Sequence, residues 1–170
     1  MAIQRALAAY QRSLVSFASP FDRWHRGGEP KAIDAAARRG WALFNDPAIG
    51  CAGCHVPPLF TDALLPGVPR DAPAGRGPRP AFGHGTAQDA AGRALRTPSL
   101  RNVAATPPYM HDARHATLAE VLAAYRLGDG RGLDAGERAA LLALLEALTD
   151  RQFLENDSQS SPYRLAGAGD

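Results

Sequence analysis

The run Cys51-Ala52-Gly53-Cys54-His55 constrains this chain more than any other. C-x-x-C followed at once by His is the attachment signature of a c-type haem. Its spacing has a chemical reason. Two thiols three positions apart can each add to a haem vinyl group as thioethers, and the adjacent imidazole is then held under the porphyrin as proximal iron ligand. The motif points to one covalent haem c on Cys51, Cys54 and His55, and so to redox chemistry.

Two other uses of a C-x-x-C pair explain less. A dithiol redox motif belongs near a βαβ pattern, and no alternation of strand and helix signals surrounds this one. A Cys2His2 zinc site has partial support from His111 and His115, an H-x-x-x-H pair. However, more than fifty residues separate Cys54 from His111, whereas compact fingers use about a dozen.

With 170 residues and 45% hydrophobic content, the chain can bury one sizeable core. Thioether bonds would consume both of its cysteines, so no disulfide framework is expected. In bacteria, haem attachment of this kind is normally completed outside the cytoplasmic membrane, which implies a periplasmic location. Residues 1–17 nonetheless lack the charged head, unbroken apolar stretch and cleavage site of a signal peptide. They are expected to form an amphipathic helix, and the chain to be a mature form or a piece of a longer gene product. No run of about twenty apolar residues is present, so no membrane span is expected. The formal charge of +2 would be largely cancelled by two haem propionates, so neither nucleic acid nor anionic membrane is indicated. Arg70, Arg76, Arg79 and Arg93 lie in a Pro/Gly-rich stretch and read first as a solvated loop, with guidance of an acidic redox partner or contact with the haem propionates as the alternatives.

The periodicity is mainly α-helical, the pattern of a cytochrome c-like haem lobe with a long Pro/Gly-rich loop. Ile3, Leu7, Tyr10, Leu14 and Phe17 recur every three or four residues and predict an opening helix ended by Pro20. A second helix is expected from about Ala32 to Phe44, with Gly40 on the face of Phe44, where a glycine permits close helix crossing. Residues 57–92 read as a loop wrapped over the haem edge. Thr117 and Glu120 form a capping box that starts a third helix, with Leu118, Leu122 and Tyr125 on its inward face and Gly128 and Gly130 as its stop. Asp134 with Glu137 caps a closing helix striped by Leu141, Leu142, Leu145 and Leu148. The expected division is a leading helix and linker at 1–30, a haem domain at 31–150, and an irregular tail at 151–170.

The ligand opposite His55 decides between electron transfer and small-molecule binding. Met110, His111, His115, His84 and Tyr125 are the candidates. A thioether at Met110 would favour ferrous iron and raise the potential, and on spacing alone it leads. A tyrosine oxygen would instead stabilise ferric or higher-valent iron, because a hard anionic donor matches a more highly charged metal. His111 stands next to Asp112, which can orient an imidazole through a carboxylate hydrogen bond.

Longer runs are more specific. Ser19-Pro20-Phe21-Asp22-Arg23, Arg39-Gly40-Trp41-Ala42-Leu43-Phe44, the haem motif, Arg96-Thr97-Pro98-Ser99-Leu100-Arg101-Asn102 and Pro108-Tyr109-Met110-His111-Asp112 together resemble, in that order, bacterial dihaem cytochrome c peroxidases and their MauG-like relatives. The resemblance covers nearly all of residues 1–150 and matches the C-terminal, electron-transferring haem lobe. It implies that Tyr125 is the distal iron ligand, where peroxidases commonly carry Met and MauG-like proteins carry Tyr, with Met110 as runner-up. It also implies a calcium ion between two lobes, held here by the carbonyls of Thr106 and Pro108 with further ligands from the other lobe. Ala113 departs from the glycine usual after His-Asp.

The resemblance implies a lobe that accepts electrons from a small redox donor protein and relays them to a peroxide-reducing haem in a second lobe or subunit, with no catalytic residue of its own. A stand-alone monohaem carrier and a partner-binding lobe are the competing expectations.

Overall fold

A computed structural model describes residues 2–63, 96–127 and 130–157. His84, the four loop arginines, Gly128 and the last residues of the tail lie outside that set. The described residues are mainly helical, with two isolated β-bridges, Tyr109 to His115 and Arg126 to Gly132, as their extended pairings.

The helices are α1 (Ala2–Ser13), α2 (Pro20–His25), α3 (Ala35–Asn45), α4 (Leu118–Ala124), α5 (Ala135–Ala147) and α6 (Arg151–Leu154). Single 3-10 turns form at Cys51–Gly53 and Val103–Ala105. Each α-helix from α2 onward starts at a side-chain cap: Ser19, Asp34, Thr117, Asp134 and Asp150 each accept a first-turn amide, satisfying donors that a helix leaves without internal partners.

The core forms where α3 crosses α5. Gly40 is buried in the crossing, and a Cβ built there would lie 2.8 Å from the carbonyl carbon of Ala140 and 2.9 Å from Leu144 Cβ. The expected close crossing is therefore present. Phe44, one turn on, is 2% exposed and belongs to the cluster of Phe21, Ile49, Phe60, Leu141 and Leu144. Phe60 meets Phe21 at 5.3 Å and Phe44 at 5.7 Å between ring centroids, both edge-on, the geometry the ring quadrupole favours.

Several expectations shift. Pro20 does not end the first helix, which stops at Ser13; it opens α2, where its missing N–H costs nothing. Helix α3 starts at Ala35 rather than Ala32, behind the Asp34 cap. Glu120 reaches past Thr117 to the amide of Ala116, so the α4 cap is not a closed box, whereas Asp134 and Glu137 close one at α5. The α5 stripe runs through Leu141, Leu144, Leu145 and Leu148, all buried, with Leu142 only half-buried beside it. Helix α4 ends at Ala124, before either glycine, and Tyr125 is its extended C-cap residue. Helix α6 occupies the first residues of the expected irregular tail.

Helix α1 is amphipathic as its spacing predicts, yet it buries no residue: Ile3 is 76% exposed and Leu7 59%. The chain after it is anchored at its other end. Asp150 accepts hydrogen bonds from the amide of Ala18 at 2.9 Å and from Ser16 Oγ at 3.2 Å, and this ties α2 to the end of α5.

Candidate haem site

Gly50, at φ +79°, lets the chain turn sharply after Ile49 buries itself, and the 3-10 turn that follows carries Cys51 and Cys54 to its two ends. Both thiols are free and half-buried. His55 follows, its amide donating to the Cys51 carbonyl at 3.0 Å. Its Nδ1 lies 3.1 Å from the Phe60 carbonyl and 3.1 Å from that of Pro98. Carbonyls only accept, so Nδ1 carries the proton and Nε2 carries the lone pair that a metal takes. Backbone carbonyls on the far nitrogen are the usual support of a metal-ligating imidazole.

Tyr125 is brought to the cysteines. Its hydroxyl and the Cys51 thiol are hydrogen-bonding partners. Burial pushes the Cys51 thiol up to about 11, with the neighbouring Cys54 adding to the rise and the Tyr125 bond opposing it. Burial, and then the charges of the two cysteines, likewise raise Tyr125 above the ordinary phenol range. The inward placement expected from its helical spacing is met, although the residue sits one position past the helix end.

The other candidates are not gathered here. Met110 is 47% exposed, at φ +71° in the turn closed by the Tyr109–His115 bridge. His111 is exposed, and Asp112 pairs with Arg114 at 2.9 Å. His115 is half-buried, its backbone engaged with Tyr109. Thr106 and Pro108 lie on an exposed turn, where Thr106 Oγ1 donates to the Val103 carbonyl. Among the described residues no group of three or more His, Cys, Asp or Glu can hold a metal ion. The zinc grouping of Cys51 and Cys54 with His111 and His115 is therefore not assembled.

The donor set fits a haem c. Two thiols outside any disulfide, an imidazole with its proton fixed on Nδ1, and a half-buried phenol come together around Cys51. Thr97, the residue before Pro98, has its Oγ1 buried with no hydrogen-bond partner, the kind of orphan that a polar edge of a bound group satisfies. Sequence reasoning missed the two carbonyls that hold His55 and the ion pair of Asp22 with Arg101 at 2.8 Å. A carbonyl acceptor leaves no trace in residue identity, but the ion pair had one: both partners lie in the resembling runs.

Comparison with known proteins places the chain in a family. The chain is 36% identical over 197 residues to cytochrome-c peroxidase IdrP1 of Denitromonas iodatirespirans, covering 92% of this chain and 52% of that protein. It is 39% identical over 159 residues to the methylamine utilization protein MauG of Methylorubrum extorquens, covering 86% of this chain and 43% of that one. The chain belongs to the cytochrome c peroxidase/MauG family. A crystal structure of a MauG-like protein associated with microbial copper homeostasis matches with a TM-score of 0.66 at 27% identity, over 94% of this chain and 56% of that one. No family model matches. The chain spans about half the length of the cytochrome c peroxidase and MauG relatives it matches.

Proposed function

We propose that this chain is the electron-transfer haem c lobe of a dihaem cytochrome c peroxidase/MauG-like oxidoreductase, relaying electrons from a small redox donor protein to a peroxide-reducing haem in a second lobe. The observation that carries this reading is the His55 ring, held at Nδ1 by two carbonyls directly beside two free thiols. Cys51 and Cys54 would bind the group covalently, and His55 Nε2 would ligate its iron. When bound, haem c supplies a one-electron ferric/ferrous couple.

Tyr125 is the proposed distal-side ligand, with its phenol already among the two cysteines. Its hard oxygen would hold the oxidised state, which suits a relay that must accept and store oxidising equivalents. The exposure of Met110 counts against it in this role. The apolar face of α1, which finds no partner among the described residues, supports a second lobe, because a twelve-residue helix is marginal in water without burial of that face. Calcium at Thr106 and Pro108 rests on the same lobe, since two carbonyls fall short of the six to eight oxygens, roughly, that Ca2+ takes. Covalent haem attachment, which in bacteria is normally completed outside the cytoplasmic membrane, supports a periplasmic location. No helix among the described residues is long and apolar enough to cross a membrane.

The test is a pyridine haemochrome spectrum with peroxide kinetics on the full chain. One covalent haem per chain with slow peroxide turnover is expected. An absent c-type band rejects the haem assignment, and rapid steady-state peroxide reduction rejects the relay role.

A further inference from the structure

Arg101 and Asp22 form an ion pair whose side chains are only 8% and 7% exposed. Removing two charges from water is costly, and a well-packed apolar pair is often as stable, so such a pair calls for an account of what its geometry does. The guanidinium donates to both Asp22 oxygens at 2.9 and 2.8 Å. Its Nε donates to the Pro58 carbonyl at 2.8 Å, and Nη1 also reaches the Ser16 carbonyl at 3.1 Å. Its face lies 3.9 Å from the centre of the Phe17 ring. Asp22 is held in turn by the Ser19 amide and hydroxyl.

The anchored carbonyl matters. Pro58 belongs to the stretch that ends in Phe60, and Arg101 belongs to the stretch that begins at Thr97. The two stretches run side by side, joined by Ser99 Oγ to the Leu59 carbonyl at 2.6 Å and by the Leu100 amide to the Phe60 carbonyl at 3.3 Å. Each contributes one of the two carbonyls on His55 Nδ1. A slip of one stretch against the other must lengthen at least one of those bonds.

We infer that the Arg101–Asp22 pair positions the His55 imidazole, by locking together the two strands of backbone whose carbonyls hold its Nδ1–H. This rests on the haem reading above. A firmly held Nδ1–H makes Nε2 a stronger donor, which favours ferric iron, and loosening it raises the midpoint potential. Lysine keeps the charge of arginine but lacks the fork that spans Asp22 and Pro58 together.

The experiment compares the wild-type full chain with Arg101→Lys, Asp22→Glu and Ser99→Ala by haemochrome content, midpoint potential and ferric EPR. Arg101→Lys is expected to retain covalent haem while its potential rises and its g-values shift. Asp22→Glu, which keeps the carboxylate, should stay nearer to wild type. Ser99→Ala removes an exposed hydrogen bond between the same two stretches, leaves the core intact, and should shift the potential in the same direction by less. If Arg101→Lys does not fold, Ser99→Ala decides. Haem-loaded variants with unchanged potential and g-values overturn the inference alone, whereas a wild-type chain without the c-type band defeats the haem reading and the inference with it.

Discussion

Gly40 and Ala140 meet backbone to backbone where α3 crosses α5, with no space for a side chain between them. Alanine at position 40 would gain about 1 kcal/mol of helix propensity. It would also drive a methyl group into the Ala140 carbonyl, and overpacking of a fixed backbone costs roughly 1–3 kcal/mol. The clash wins, because a carbonyl inside a helix cannot rotate away as a flexible side chain would. Gly40→Ala should lower the urea midpoint and Gly40→Val should lower it further; an unchanged midpoint would show that the helices are not in contact there.

Ala113 sits at φ +58°, in the left-handed region. That conformation costs a side-chain-bearing residue about 1–2 kcal/mol, more than the roughly 0.5–1 kcal/mol of added unfolded-chain freedom that glycine brings. Ala113→Gly should therefore stabilise the protein by up to about 1 kcal/mol. Thermal unfolding measures it, and a lower melting temperature would reject the strain.

Hydrogen bonds from Arg131 and from the Asp134 amide hold Glu137 down at about 2, against an ordinary value of 4.5. A depressed carboxylate contributes stability above its unfolded value and loses it as pH falls through the folded one. Glu137 therefore contributes fully above pH 4.5 and progressively less down to about pH 2. Glu137→Gln should be less stable than wild type at pH 7 and converge with it near pH 2. Parallel stability curves across that range would refute the linkage.

Cys51, with its thiol pushed up to about 11 by burial, should resist alkylation before haem is attached. Two units above an ordinary thiol means about a hundredfold less thiolate near neutral pH. Peptide mass mapping of the haem-free chain after iodoacetamide at pH 8 should find Cys51 modified about a hundredfold more slowly than an unfolded control. Equal rates would place the thiol in solvent.

Tyr125→Phe removes the phenol oxygen and leaves the ring packing largely in place. The ferric absorption and EPR spectra should change, and the potential should rise as the hard donor is lost. Unchanged ferric spectra would exclude Tyr125 as a ligand.

Local signals carried far in this chain. The haem motif, the caps at Thr117 and Asp134, and the Gly40–Phe44 face all lie within a few residues, so spacing reports them directly. The inward phase of Tyr125 also followed from spacing, but its position past the helix end did not, because chain termination depends on which backbone groups find partners outside the helix. Pro20 misled for a related reason: the same residue that cannot continue a helix is well suited to begin one.

What the sequence determined by itself was the C-x-x-C-H spacing of Cys51, Cys54 and His55, the proposed haem donor set, together with the helices that flank it, since covalent spacing and 3.6-residue periodicity are properties of neighbours along the chain. Only the tertiary structure decided how that donor set is held. The Phe60 and Pro98 carbonyls, the Arg101–Asp22 pair and the Tyr125–Cys51 bond join residues far apart in sequence. Tertiary packing also decided that the apolar face of α1, legible as amphipathic, finds no core among the described residues. Periodicity specifies which face is apolar, while burial depends on what the rest of the molecule brings against it.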